Sequence, residues 1–165
     1  MRRSFTIFLT IVIFLFLIVT CACSSDKTTV RREINRIGEI DSISINSGAL
    51  SSNCPTFFEN GEIEEVFDNF RGITLIRNEN FAIDWEKVNI TETDFILIDV
   101  FAKNADISCK ILVYPNGKVC LVKYGKSDGK DVLSEEVFCS KVGAMDAKAF
   151  AHKYKLALFG ENWND

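Results

Sequence analysis

The chain reads as an α+β domain, an antiparallel sheet of four to five strands with two helices packed mainly on one face. Three observations predict it. Residues 95–101, 107–114 and 118–124 are β-rich runs separated by short polar turns. Residues 61–71 and 144–159 carry apolar side chains at helical spacing. The two kinds of segment are interleaved along one chain of 165 residues, a length that suits one core rather than two.

In chain order, the first element is not part of that domain. Arg2 and Arg3 precede an apolar run of 15 residues, Phe5 to Val19, which exits through Thr20-Cys21-Ala22-Cys23. A basic n-region, an apolar h-region and a small-residue exit have the anatomy of a secretory signal. A spanning helix needs about 20 apolar residues, more than this run supplies. The segment resembles the signal of small uncharacterised lipoproteins of Gram-positive bacteria, in which a cysteine after a small residue is acylated and becomes the new N-terminus. Cys23, preceded by Ala22 and followed by Ser24-Ser25-Asp26, is favoured for that role. Cys21 is the alternative, with Ile18 and Val19 well placed but Thr20 directly before it. The resemblance implies a signal peptide at 1–22, lipid attachment to the cell membrane and an extracytoplasmic domain. An uncleaved anchor or an ordinary cleaved signal would also leave the domain outside, because the arginines stay inside.

Residues 23–38 read as the lipidated N-terminus and a polar tether, mixed in charge and without a sustained apolar period, and 39–165 as the domain. Residues 39–46 alternate imperfectly around Ile43 and Ile45 and suggest a first strand. Residues 47–56 are a loop by composition. A helix follows, with Ile63, Val66, Phe67 and Phe70 on one stripe. Asn60 is its N-cap candidate, and a Thr56/Glu59 capping box is the rival start. Gly72 ends it. The stretch 73–93 has no clear period, and Trp85 is its candidate core anchor.

Asn116-Gly117 is a strong hairpin signal. A two-residue turn there sets Val113 opposite Cys120, Ile111 opposite Val122 and Cys109 opposite Tyr124. Treating Asn104-Ala105 alike sets Val100 opposite Cys109, Ile98 opposite Ile111 and Ile96 opposite Val113. One face of the meander is then Ile, Val, Cys and Tyr. The other carries Asp99, Lys110 and Lys123 in a cross-strand row. Beside that row lies an apolar half of Phe95, Leu97, Leu112, Tyr114, Val119 and Leu121, the candidate contact surface unless 73–93 covers it. Residues 125–130 read as a polar loop, 132–140 as a fourth strand and 144–159 as the last helix, buried through Ala147, Phe150, Ala151, Tyr154, Ala157 and Leu158.

Without residues 1–22 the chain holds 17 basic and 23 acidic side chains, a formal charge of −6. That balance speaks against nucleic acid, which requires a basic face, and against tight electrostatic binding to anionic lipid head groups. The four remaining cysteines, Cys54, Cys109, Cys120 and Cys139, form no C-x-x-C and lack the close pairs of a zinc site. Their usual place is the core, as small apolar residues. Should a bridge form, Cys120–Cys139 is the most reachable and Cys54–Cys109 a poorer second. His152, the only histidine, sits among lysines and suits a surface helix better than a triad. Asp84 with Glu86, and Glu135 with Glu136, are acid pairs of the kind chance supplies. No cofactor or metal site is expected. The function these features suggest is a membrane-anchored binding or accessory module whose partner is an envelope protein or small ligand. A carboxylate hydrolase of the cell envelope and a thiol redox or metal protein are the alternatives.

Overall fold

The structure, a computed structural model, describes residues 27–47, 54–78, 95–103, 107–127, 130–157 and 163, with 107, 108, 124–127 and 130–135 entering through their backbone alone. Among the described residues eight strands form one antiparallel sheet: β1 (Lys27–Thr29), β2 (Ile40–Asn46), β3 (Thr56–Phe57), β4 (Thr74–Arg77), β5 (Ile96–Ala102), β6 (Ile107–Val113), β7 (Val119–Ser127) and β8 (Lys130–Cys139). Their order across the sheet is β1-β4-β8-β7-β6-β5-β2-β3. Three helices, α1 (Val30–Ile37), α2 (Asn60–Asp68) and α3 (Ala147–Lys153), bury their apolar stripes in one core cluster with Ile43, Ile45, Ile98, Ile111 and Leu121 of the sheet. The α+β class and the antiparallel sheet stand. The expected four to five strands become eight, because the short strands β1, β3 and β4 carry too few residues to display a period.

The largest correction lies at 27–37, expected as tether. Thr29 caps α1, its hydroxyl accepting from the Arg32 N–H at 3.2 Å, and Gly38 follows the last turn. Val30, Ile34 and Ile37 fall at i, i+4 and i+7 and are all buried. The remaining position of that stripe is Glu33, and a charge there disguises the apolar period.

In β2, the ladder shifts between Ile40 and Ser42. The extra residue returns Ile40 to the face of Ile43 and Ile45, which explains the imperfect alternation. Helix α2 begins at Asn60, after Glu59 at the N-cap, so neither expected side-chain cap is made. Its other end is closed by Asn69, whose Nδ2 donates to the carbonyls of Glu65 and Val66 at 2.8 and 2.9 Å. Helix α3 is shorter than expected. Asp146 caps its start, accepting from the Ala149 N–H at 2.9 Å, and Lys155 at φ +53° ends it. There the Leu156 N–H returns to the Ala151 carbonyl and the Lys155 N–H to that of His152, a Schellman arrangement. Residues 79–94, including Asp84, Trp85 and Glu86, lie outside the described residues, as do 1–26.

The meander settles the faces. Strands β5 and β6 pair as expected, with Val100↔Cys109, Ile98↔Ile111 and Ile96↔Val113. Strands β6 and β7 pair one residue away from the expected register, with Val113↔Val119, Ile111↔Leu121 and Cys109↔Lys123. The cause is the turn. Tyr114-Pro115-Asn116-Gly117 closes through a Gly117 N–H bond to the Tyr114 carbonyl at 2.9 Å, and the Tyr114 N–H bonds Lys118 across a three-residue loop. Pro115 suits the second position of a type I turn, and Gly117 at φ +73° takes the left-handed position after it. An odd loop exchanges the two faces of β7. Val119, Leu121 and Lys123 turn inward; Cys120 and Val122 turn outward. Beyond, β7 and β8 continue through the expected polar loop to Ser127↔Lys130, so only Asp128-Gly129 connects them.

The three-residue loop is docked as well as turned. The Gly143 N–H bonds the Asn116 carbonyl at 2.9 Å and the Met145 N–H bonds that of Gly117 at 3.1 Å. A Cβ on Gly117 would lie 2.2 Å from the Met145 carbonyl oxygen, whereas one on Gly72, also at positive φ, would meet nothing within 4 Å. Gly72→Ala should therefore cost only the left-handed strain of about 1–2 kcal/mol. Gly117→Ala adds a backbone clash and should cost clearly more, read from urea midpoints. Equal losses would mean that the loop is not seated on 143–145.

Candidate functional site

Two places concentrate polar or reactive side chains, one on each face of the sheet. The inner one is built around Glu33. Helix α1 lays this residue across the sheet with no exposure to solvent. Thr28 of β1 donates its hydroxyl to Glu33 Oε1 at 2.6 Å, and Arg36, one turn on, donates to the same oxygen at 2.7 Å. Glu33 Oε2 faces the ammonium of Lys123, which the odd turn has directed inward. Lys123 Nζ also donates to Glu136 Oε2 at 3.2 Å and lies 5.1 Å from the centre of the Phe138 ring. Arg77 of β4 stands 3.8 Å from Glu136 Oε1. Two carboxylates thus share three cations along four elements. The ladder slips at this point, where two residues of β7 span four of β8, from Val122↔Val137 to Tyr124↔Leu133.

Burial pushes the Glu33 carboxyl up, but the Lys123 ammonium, the Thr28 hydroxyl and Arg36 outweigh it and hold the group below its ordinary value. Glu33 is accordingly an ionised anion, hydrogen-bonded through Oε1 and ion-paired through Oε2, suited to fixing α1 rather than to giving or taking a proton. Cys109 lies opposite Lys123, and burial pushes its thiol far up, so it stays protonated.

The outer site contains most of the residues read from the sequence. Leu112, Cys120, Val122, Val137 and Cys139 form a second buried cluster, with Phe95, Leu97 and Tyr114 partly buried against it. Phe95 and Tyr114 meet as tilted rings 5.6 Å apart, and burial raises the Tyr114 phenol to about 12. Of the expected contact surface, Val119 and Leu121 belong instead to the main core, and Leu112 is fully buried. Only Phe95, Leu97 and Tyr114 retain exposure. Asp99 and Lys110 pair across β5 and β6 as expected. Lys123 leaves that row for the inner face.

Cys120 and Cys139 are joined by a disulfide. They sit directly opposite each other on β7 and β8, and the Ser140 N–H bond to the Val119 carbonyl at 2.7 Å flanks them. That makes theirs a narrow, non-hydrogen-bonded pair, in which side chains approach most closely. The sequence favoured unbonded core cysteines; the register brings this pair together. Cys54 is exposed ahead of β3, Cys109 is buried, and no disulfide joins them. The expected shared face of Cys109 and Cys120 is also corrected, since the turn places them on opposite faces.

His152 is exposed on α3. Glu136 is held by Lys123 and Arg77, while Asp84, Glu86 and the side chain of Glu135 lie outside the described residues, as do Cys21 and Cys23. Among the described residues, no group of three His, Cys, Asp or Glu side chains is placed to hold a metal ion, and no helix is long and apolar enough to cross a membrane. Sequence reading missed Thr28, Glu33, Arg36 and Arg77. A signal for the first three existed in the Val30/Ile34/Ile37 stripe.

Lys123→Met removes a cation from a carboxylate that water cannot reach, and should cost about 3–5 kcal/mol. Glu33→Leu in the same chain should recover most of it, because replacing both partners with apolar groups is often near neutral. Urea denaturation of the three variants checks this; a Lys123→Met loss below about 1 kcal/mol would reduce the pair to a surface bridge. The pH dependence has a definite sign. With its folded value depressed, Glu33 stabilises fully above the ordinary value of 4.5, and this contribution is lost as pH falls through the folded value. Wild type should lose more stability than Glu33→Gln on acidification below 4.5.

Comparison of the chain with protein-family models, curated proteins and solved structures finds no match.

Proposed function

We propose that this chain is an extracytoplasmic lipoprotein, held at the cell membrane through acylated Cys23, whose domain is a non-enzymatic binding or accessory module. The Cys120–Cys139 disulfide carries the reading. Such bonds persist in oxidising compartments and are rare in the cytosol. The bond therefore agrees with the export direction implied by Arg2, Arg3 and the apolar run after them.

Support for a binding rather than a catalytic role comes from how the reactive groups are held. Glu33 is ionised and engaged, Cys109 is a buried thiol, and the cysteines of the bridge are buried at 0% and 6% exposure. The hydrolase alternative would use converging acids. Glu33 and Glu136 do converge, but on Lys123, which neutralises them. The contact surface is the rim of Phe95, Leu97 and Tyr114, where an aromatic pair and an aliphatic side chain remain partly exposed. Its partner is an envelope protein or a small apolar ligand.

Intact mass of the protein purified from membranes, with and without reductant, tests the reading. The expected mass is that of a chain starting at Cys23 plus acyl groups, rising by about two units on reduction as the disulfide takes up two hydrogens. An unmodified full-length mass would remove the lipid anchor. Absence of the rise would remove the disulfide on which the compartment rests.

A further inference from the structure

The start of β1 lies very close in the chain to the acylation site. Only Ser24, Ser25 and Asp26 separate Cys23 from Lys27, the first residue of β1. Four residue steps span at most about 14 Å. With 27–37 folded into the domain, there is no long tether to hold it away from the bilayer. Whatever surface surrounds Lys27 must then lie within that distance of the lipid headgroups.

That surface has a distinct chemistry. Lys27 pairs with Ile76 across the β1–β4 edge, and both line a shallow depression of about 500 Å³ together with Lys141, Val142 and Gly143. Val142 is 65% exposed and Ile76 40%. They are two of the four large exposed hydrophobics among the described residues. Among the described residues the lining includes two lysines and no carboxylate, on a domain whose formal charge without residues 1–22 is −6. Exposed aliphatic side chains between cations are what an anionic bilayer surface accepts: the lysines meet phosphates while the aliphatic groups enter the headgroup–acyl boundary.

We propose that the face formed by Lys27, Ile76, Lys141 and Val142 lies on the anionic bilayer, so that the domain has a fixed orientation with β1 towards the lipid and β3 away from it. The proposal rests on the lipoprotein reading, because Cys23 supplies the short link.

The test uses the full acylated protein reconstituted in vesicles of phosphatidylcholine and phosphatidylglycerol containing brominated acyl chains. Val142→Trp adds an indole on the proposed face. Phe58→Trp adds one beside β3 at the far edge of the sheet, where Phe58 is 68% exposed. Both are compared with wild type, whose two tryptophans set the background. Val142→Trp should lose the emission of its added indole to the bromolipid, and Phe58→Trp should keep it. Lys27→Glu with Lys141→Glu, in the Val142→Trp chain, should restore much of the lost emission. Mass spectrometry of the same samples separates the two claims. If Cys23 carries acyl chains and Val142→Trp is not quenched beyond background, the orientation is wrong while the anchor stands. The face is then left to a partner protein or a second copy. If Cys23 is unmodified, the anchor and the orientation fall together.

Discussion

A carboxylate without access to water requires cations and donors within hydrogen-bond reach, and Glu33 makes that requirement govern the fold. Its partners come from separate parts of the chain: Thr28 from the edge strand, Arg36 from its own helix and Lys123 from the interior of the sheet. Satisfying one side chain therefore fixes α1 on the sheet, β1 at its edge and the inward direction of Lys123. Lys123 in turn draws in Glu136, which stands near Arg77 on β4. The apolar stripe of α1 has only Val30, Ile34 and Ile37 to bury. Hydrophobic burial alone would leave its placement less specific than the ion pair makes it.

The odd turn at Tyr114 to Lys118 is the condition for that network. An even turn would leave Lys123 on the outer face beside Asp99 and Lys110, and would bring Cys120 inward. With the observed turn, the same one-residue shift sends Lys123 to Glu33 and Cys120 to the outer face opposite Cys139. Ion pair and disulfide are thus two consequences of one loop length. The docking of that loop on Gly143 and Met145 ties it to the segment that leads into α3.

For a protein held by its N-terminus, an ordered β1 and α1 alter the mechanical picture. A polar tether would let the domain swing and present any face. Were Cys23 acylated as proposed, a strand beginning four positions after it, with its following helix bonded to the middle of the sheet, would transmit the position of the anchor to the whole domain. The faces then become inequivalent. On the proposed orientation the β1–β4 edge is nearest the lipid, and the rim of Phe95, Leu97 and Tyr114, on the same face of the sheet as Ile76 but several strands away, is held farther from it.

The α+β class, the antiparallel meander, the β5–β6 register, the buried stripe of α2 and the Ala147, Phe150 and Ala151 part of that of α3 (but not Ala157, exposed beyond its end) were legible in the sequence, because each depends on the local periodicity of side chains along one element. The inward turn of Lys123 was not, since Asn116-Gly117 fits two loop lengths and Pro115 shifts the choice by a single residue. Nor was α1, whose stripe is interrupted by the residue that matters most in it. The Cys120–Cys139 bond required a strand pairing that spacing along the chain does not encode. Sequence by itself determined which segments of the meander are strands and where α2 and α3 lie; tertiary structure decided which face of β7 is buried and which charges and cysteines meet, because these depend on loop length and on register between strands.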